Sequence, residues 1–200
     1  MYPVITFSRE FGSGGHSIAK AVAEKLGVPF FDKEIVDEVA AKSGFAEDFV
    51  EKQGEHTSTF DRWFAGNMYG NNYYDSAQDA IFKMQRNFIE DKAKEGPCVI
   101  VGRCADYFMK ETDIKTLRVF IHADLEHRKA RIIERYGEPE DIDIDRSIHK
   151  KDKGRKAYYH YYTDQEWGDA ANYDLCIDTS NISEENAVDL IVTLAKAMDE

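Results

Sequence analysis

The residues best placed to do chemistry stand at Glu10-Phe-Gly-Ser-Gly-Gly-His-Ser17. Before them runs Val4-Ile-Thr-Phe7, β-branched and aromatic; after them Ile18, Val22 and Leu26 repeat at helical spacing up to Gly27. A strand, a glycine-rich turn and a helix N-terminus can receive phosphate oxygens on main-chain N–H groups. The spacing follows the phosphate-loop pattern G-x-x-x-x-G-K-[S/T] in part: Gly15 stands at the second glycine and Ser17 at the hydroxyl that would hold Mg²⁺. Glu10 replaces the first glycine and His16 the lysine. Gly12, Ser13, Gly14, Gly15, His16 and Ser17 are therefore the expected cradle. Arg9 and a distal arginine would supply the charge that a neutral imidazole lacks. An ordinary glycine-rich strand–helix turn without a ligand is the alternative.

Other candidates are arginines. Arg103 follows the apolar run Cys98-Val-Ile-Val101 and Gly102, so it projects from a strand's carboxyl end near the glycine loop; a strand-end ion pair would place it there equally. Arg128, Arg131 and Arg135 are three and four residues apart and share one helix face. Such a stripe can clamp phosphates through forked contacts or lie solvated beside Glu126 and Glu134. Lys150-Lys-Asp-Lys-Gly-Arg-Lys156 and four nearby tyrosines invite an RNA-binding reading. The net charge of -12, from 26 Lys+Arg against 38 Asp+Glu, disfavours it. The histidines form no zinc pattern with the cysteines, and no G-x-S-x-G elbow marks a hydrolase.

The elements that must position these residues alternate. Short apolar runs at 4–7, 28–31, 98–101, 117–121 and 173–177 read as strands, most followed by amphipathic helices. The run at 98–101 is apolar on both faces, as suits the centre of a parallel sheet. Five such strands predict one domain over 1–200, an open three-layer parallel α/β sheet. Two stretches interrupt the alternation, 44–95 and 137–167, and both read as excursions beyond the strand ends. The first holds a short acidic helix at 45–53, an irregular aromatic segment at 60–74 and an amphipathic helix at 76–93; the second ends in a basic, Tyr-rich helix.

Composition narrows the class further. No apolar run approaches the ~20 residues of a membrane span, and Met1-Tyr-Pro-Val-Ile-Thr-Phe has no basic, apolar leader character. A soluble cytoplasmic protein with no membrane and no nucleic-acid partner is expected. Its three cysteines would be reduced, Cys98 and Cys176 as small buried thiols.

Three segments resemble the cytidylate kinase-like branch of the P-loop nucleoside monophosphate kinases: Ile5 to Ala19, Pro29-Phe-Phe-Asp-Lys-Glu-Ile35 and Val99-Ile-Val-Gly-Arg-Cys-Ala-Asp106. Tyr173 to Ser180 is similar to the last strand of these kinases. The resemblance implies strand order 2-3-1-4-5, with 44–95 as an acceptor-binding helical insert and 137–167 as a mobile lid. It implies phosphoryl transfer from ATP and Mg²⁺ to a nucleoside monophosphate, CMP or dCMP foremost. By the same resemblance Arg103, Arg128, Arg131 and Arg155 would be catalytic, and Asp32, Lys33, Arg103 and Asp106 would meet the acceptor. Asp106 is displaced from the usual Gly-Arg-Asp, and Asp32 is equally apt to cap a helix. A nucleotide-binding regulator without transfer activity, or a kinase for another small acceptor, stays open. So does a homo-oligomer, since the aromatic segment at 60–74 could cover a partner subunit as well as a substrate.

Overall fold

A computed structural model describes residues 2–44, 71–137 and 143–199, with side chains only from 78 in the second segment. The short helix expected at 45–53 and most of the aromatic segment lie outside the described residues. The elements are β1 (Val4–Arg9), α1 (Gly15–Leu26), β2 (Phe30–Phe31), α2 (Lys33–Ser43), α3 (Asn71–Glu95) and β3 (Val99–Val101). They continue with α4 (Ala105–Lys110), β4 (Thr116–His122), α5 (Leu125–Tyr136), α6 (Ile144–Thr163), a 3₁₀ turn (Ala170–Asn172), β5 (Leu175–Asp178) and α7 (Glu184–Ala197).

All five strands are parallel, in the order β2-β3-β1-β4-β5. The expected three-layer α/β sheet of order 2-3-1-4-5 is what the chain forms. Strand alternation divides the core. Ile5 and Phe7 point to one face and pack, with Val99, Val101, Val119 and Ile177, against Ile18 and Val22 of α1 and Ile191 of α7. Val4, Ile100 and Phe120 point to the other, against Ile89 of α3, Phe108 of α4 and Tyr158 of α6. With both faces covered, the strands are necessarily apolar on both sides. The connections diverge around β1, and in sheets of this kind the crevice at such carboxyl ends takes ligands.

Two expectations are corrected. Asn71, Asn72 and Tyr74 are not in an irregular segment; α3 starts at Asn71, because a long amphipathic helix overrides the weak preference of asparagine for bends. Cys176 is exposed, whereas Cys98 and Cys104 are buried. Cys176 belongs to the edge strand β5, where the covering layer ends beside Lys156 and His122. Among the described residues, no helix is long and apolar enough to cross a membrane.

Candidate active site

β1 ends at Arg9, and the chain reaches α1 through Glu10–Gly14. Gly12 and Gly14 both take φ near +80° (+82° and +83°), which side chains rarely adopt. Gly12 also lies directly on α5: a Cβ there would stand 2.9 Å from the Arg128 carbonyl oxygen. Gly14 caps α1 without a side chain, and no acid occupies the first helical turn. The leading amides of α1 thus meet the cleft, as an anion receptacle requires, while the Glu184 carboxylate beside Gly14 is paired with Arg131.

That cleft measures about 410 Å³. Besides the loop, its walls carry five cations, Arg9, Arg131, Arg135, Lys151 and Arg155, against two acids, Glu10 and Asp32. A local positive excess in a chain of net charge -12 is the mark of a site that gathers anions. The Arg155 Nη1 donates to the carbonyl of Arg9 at 2.9 Å, and Lys151 Nζ stands 4.0 Å over the Phe11 ring. Arg131 pairs with Glu184 at 3.0 Å, and Arg135 donates to the Ser17 hydroxyl at 2.7 Å.

His16 does not mimic a lysine. Its Nε2 lies 3.2 Å from Asp32 Oδ2, and its ring stands edge-on to Phe30. Asp32 also faces Arg9, 4.0 Å away. The Asp32 carboxylate makes no cap bond to α2 and lines the cleft.

Five expected residues, Ser13, Lys33, Arg128, Asp106 and Arg103, stand outside the cleft. The Ser13 hydroxyl faces inward, donating between the Glu10 carbonyl (2.9 Å) and the Ile121 carbonyl (3.2 Å), while the Ser13 carbonyl accepts from Thr179 Oγ1 at 2.8 Å. Ser13 therefore rivets the loop to β4 and the end of β5. Lys33 is exposed at the start of α2 and does not line the cleft. Arg128 is buried beneath the loop, its Nη1 2.5 Å from Asp152 Oδ2 and 3.4 Å from the Phe11 carbonyl oxygen. Sequence spacing put it on the face of Arg131 and Arg135, but the start of α5 lies under the loop and only its end reaches the cleft.

Asp106 is the fourth. Its carboxylate accepts from Tyr159 Oη at 2.6 Å and from Ser8 Oγ at 3.4 Å, joining α4, α6 and β1 inside the protein. Burial pushes the carboxyl above its ordinary range, and the Tyr159 hydrogen bond only partly opposes this. The fold then holds the proton more tightly than the unfolded chain does, so this carboxyl weakens the fold as pH rises from the usual aspartate value through the raised one. We expect Asp106→Asn, which keeps an acceptor for Tyr159, to gain in Tm relative to the parent as pH rises from about 4 to 8. Parallel melting curves across that range would contradict the buried titration.

Arg103 lies in a small adjoining cavity of about 20 Å³ with Ser8, Tyr158, Tyr159 and Trp167; Arg9 and Arg155 line both spaces. Gly102, Arg103 and Cys104 run in succession at φ +76°, +57° and +56°. For the two that are not glycine this costs roughly 1–3 kcal/mol each, a strain found where a side chain must be held in place for function. Sequence reasoning left Arg135 behind its neighbours, and it named Lys151 only within a basic run. Neither Phe11 nor Tyr136, which complete the cleft wall, carried any local signal.

The sequence profile of the cytidylate kinase-like family matches residues 4–181. A relative named cytidylate kinase from Archaeoglobus fulgidus is 28% identical over 191 residues, 94% of this chain and 92% of that one. Another of that name, from Pyrococcus horikoshii, is 26% identical and spans 98% of this chain and 90% of its own. An uncharacterized protein from Eubacterium ventriosum superposes with a TM-score of 0.70 at 29% identity, covering 98% of this chain and 99% of its own. A shikimate kinase from Bacteroides thetaiotaomicron (TM-score 0.58, 15% identity, covering 98% and 99%) shares the fold. With a glycine loop at the carboxyl edge of a 2-3-1-4-5 sheet and a profile match along most of its length, the chain belongs to the cytidylate kinase-like family.

Proposed function

We propose that the protein is a nucleoside monophosphate kinase that moves the terminal phosphoryl group of ATP to a nucleoside monophosphate, with CMP or dCMP the first acceptors to test. The observation that carries this is the ring of five cations around a glycine loop whose own lysine is missing. The names of the relatives support the acceptor class.

On this reading the leading amides of α1 receive the ATP phosphates. Arg131, Arg135 and Lys151 surround the triphosphate, and Arg155 stands at the wall shared with the Arg103 cavity. Charge that spreads over the transferring group is met by donors already in place, which is where such sites gain rate. The Ser17 hydroxyl faces the cleft as a hard oxygen donor and fits one position of a Mg²⁺ shell otherwise made of phosphate oxygens and water. When bound, Mg²⁺ neutralises part of the triphosphate charge. Arg135 then has to release Ser17 and turn to phosphate. Residues 44–95 form the acceptor insert and 137–167 the lid, whose closure keeps water from the phosphoryl group. The protein is a soluble, cytoplasmic enzyme in this account.

Arg103 orients the acceptor. Arg103→Ala is expected to lower kcat/KM by about 100-fold, mainly by raising the acceptor KM; an unchanged value removes the residue from the mechanism. ATP turnover measured against CMP, dCMP, UMP, AMP and GMP tests the function. ADP formed fastest with CMP or dCMP supports it. The engagement of His16 with Asp32 favours one second reading, a regulator that binds ATP without turnover. Calorimetry showing ATP binding, with no ADP release for any acceptor, would select that reading instead.

A further inference from the structure

One residue of the glycine loop is gripped through both of its backbone groups. The N–H of Phe11 donates to Asp152 Oδ1 of α6 at 2.8 Å, and its carbonyl accepts from Arg128 Nη1 of α5 at 3.4 Å. The two side chains meet each other at 2.5 Å, and both are largely buried, 9% and 12% exposed. Arg128 also lies 3.5 Å from Glu10 Oε2, and the same Glu10 oxygen accepts from the Ala123 N–H at 3.2 Å. The residue that replaces the pattern's first glycine is thus part of the same fastening. Of the helices gripping Phe11, α5 leads into the segment we assign as a lid and α6 lies within it, and α6 also carries Lys151 and Arg155 into the cleft.

We propose that Asp152 and Arg128 are positioning residues that couple the two arms of the lid to the phosphate loop. Neither touches substrate. Any displacement of α6 against α5 moves the Phe11 peptide, and through it Gly12 and the first turn of α1. Lid position and loop geometry are then set together, and Lys151 and Arg155 arrive only when the loop amides are aimed. In a loop without a lysine, that coordination brings the external cations to a correctly shaped receptacle. The inference deepens the kinase reading and rests on it wherever turnover is the readout.

A buried ion pair can also be merely structural, and removing one partner alone strands a charge. The test therefore removes both, as Arg128→Met with Asp152→Leu, and compares this with Asp152→Asn, which keeps an acceptor for the Phe11 N–H. Three quantities are read on the full chain: Tm, exchange of the Phe11 amide without ligand, and kcat with ATP and CMP. For the double variant we expect a Tm within a few degrees of the parent, as apolar replacement of buried pairs permits. Its Phe11 amide should exchange about 100-fold faster and its kcat fall at least about 10-fold, while Asp152→Asn keeps slow exchange and most of kcat. An unchanged amide and kcat in the double variant overturn the proposal, and so does a kcat loss fully matched by a loss of Tm. If the double variant fails to fold, Asp152→Ala against Asp152→Asn decides by the same two readouts. If the parent turns over no acceptor, the kinase reading fails, and slow Phe11 exchange that depends on residue 152 still decides the clamp.

Discussion

Arg155→Ala should lower kcat about 1,000-fold while changing ATP affinity by no more than about 10-fold. Arg155 is held rather than free to wander: its side chain is only 11% exposed, and its Nη1 donates to the Arg9 carbonyl at 2.9 Å. It lines both the 410 Å³ cleft and the small cavity of Arg103. A phosphoryl group passing from one space to the other would stand beside it at the moment its charge is most spread. On the proposed reading the triphosphate is also met by Arg131, Arg135 and Lys151, which line the same cleft, so losing one cation should cost affinity little. Losing the donor at the transfer point costs rate. Arg155→Lys should recover only part of the loss, because an ammonium cannot reproduce the planar fork. Steady-state kinetics with ATP varied at saturating acceptor separates these effects; a kcat loss below threefold would contradict the assignment.

Gly15→Ala is expected to weaken ATP binding at least about 100-fold and to lower Tm by roughly 5 °C. Here the constraint is space rather than backbone freedom. A Cβ on Gly15 would fall 2.4 Å from Arg9 Cβ and 3.3 Å from Ile121 Cβ. These atoms belong to the centre of the sheet and cannot swing aside as the end of a long side chain can. Either α1 lifts from β1, which misdirects its leading amides, or Arg9 is displaced, which disturbs both the Asp32 contact and the carbonyl that receives Arg155. Thermal melting and calorimetric titration with ATP check both parts. Wild-type affinity in this variant would show that the first turn of α1 does not hold phosphate.

The sheet was legible because its strands are buried on both faces, so Val99-Ile-Val101 and Val4-Ile-Thr-Phe7 stand out as short apolar runs. Their order followed only from the family resemblance. The glycine turn between β1 and α1 was legible for a related reason: its spacing is local, and a Cβ would meet the Arg128 carbonyl at Gly12 and the Arg9 side chain at Gly15. Three residues stand away from the cleft because of partners far away in sequence. Ser13 is claimed by Ile121 and Thr179, Asp106 by Tyr159 and Arg128 by Asp152, none of which spacing can reveal. Arg128 and Arg135 share a helical stripe, yet seven residues of α5 separate them by about 10 Å, enough to put one under the loop and the other in the cleft. Asp152, alone among lysines, looks like a solvated acid until α5 is laid against it.

We propose that the leading amides of α1 form the phosphate receptacle despite the histidine where a lysine is usual. Titrating the ¹⁵N-labelled protein with ATP, with and without Mg²⁺, tests it most directly. Saturable shifts are expected, largest at the amides of Gly14, Gly15, His16 and Ser17 and accompanied by the guanidinium signals of Arg131 and Arg155. Saturation elsewhere with these amides unmoved, or no saturation at millimolar ATP, would contradict it.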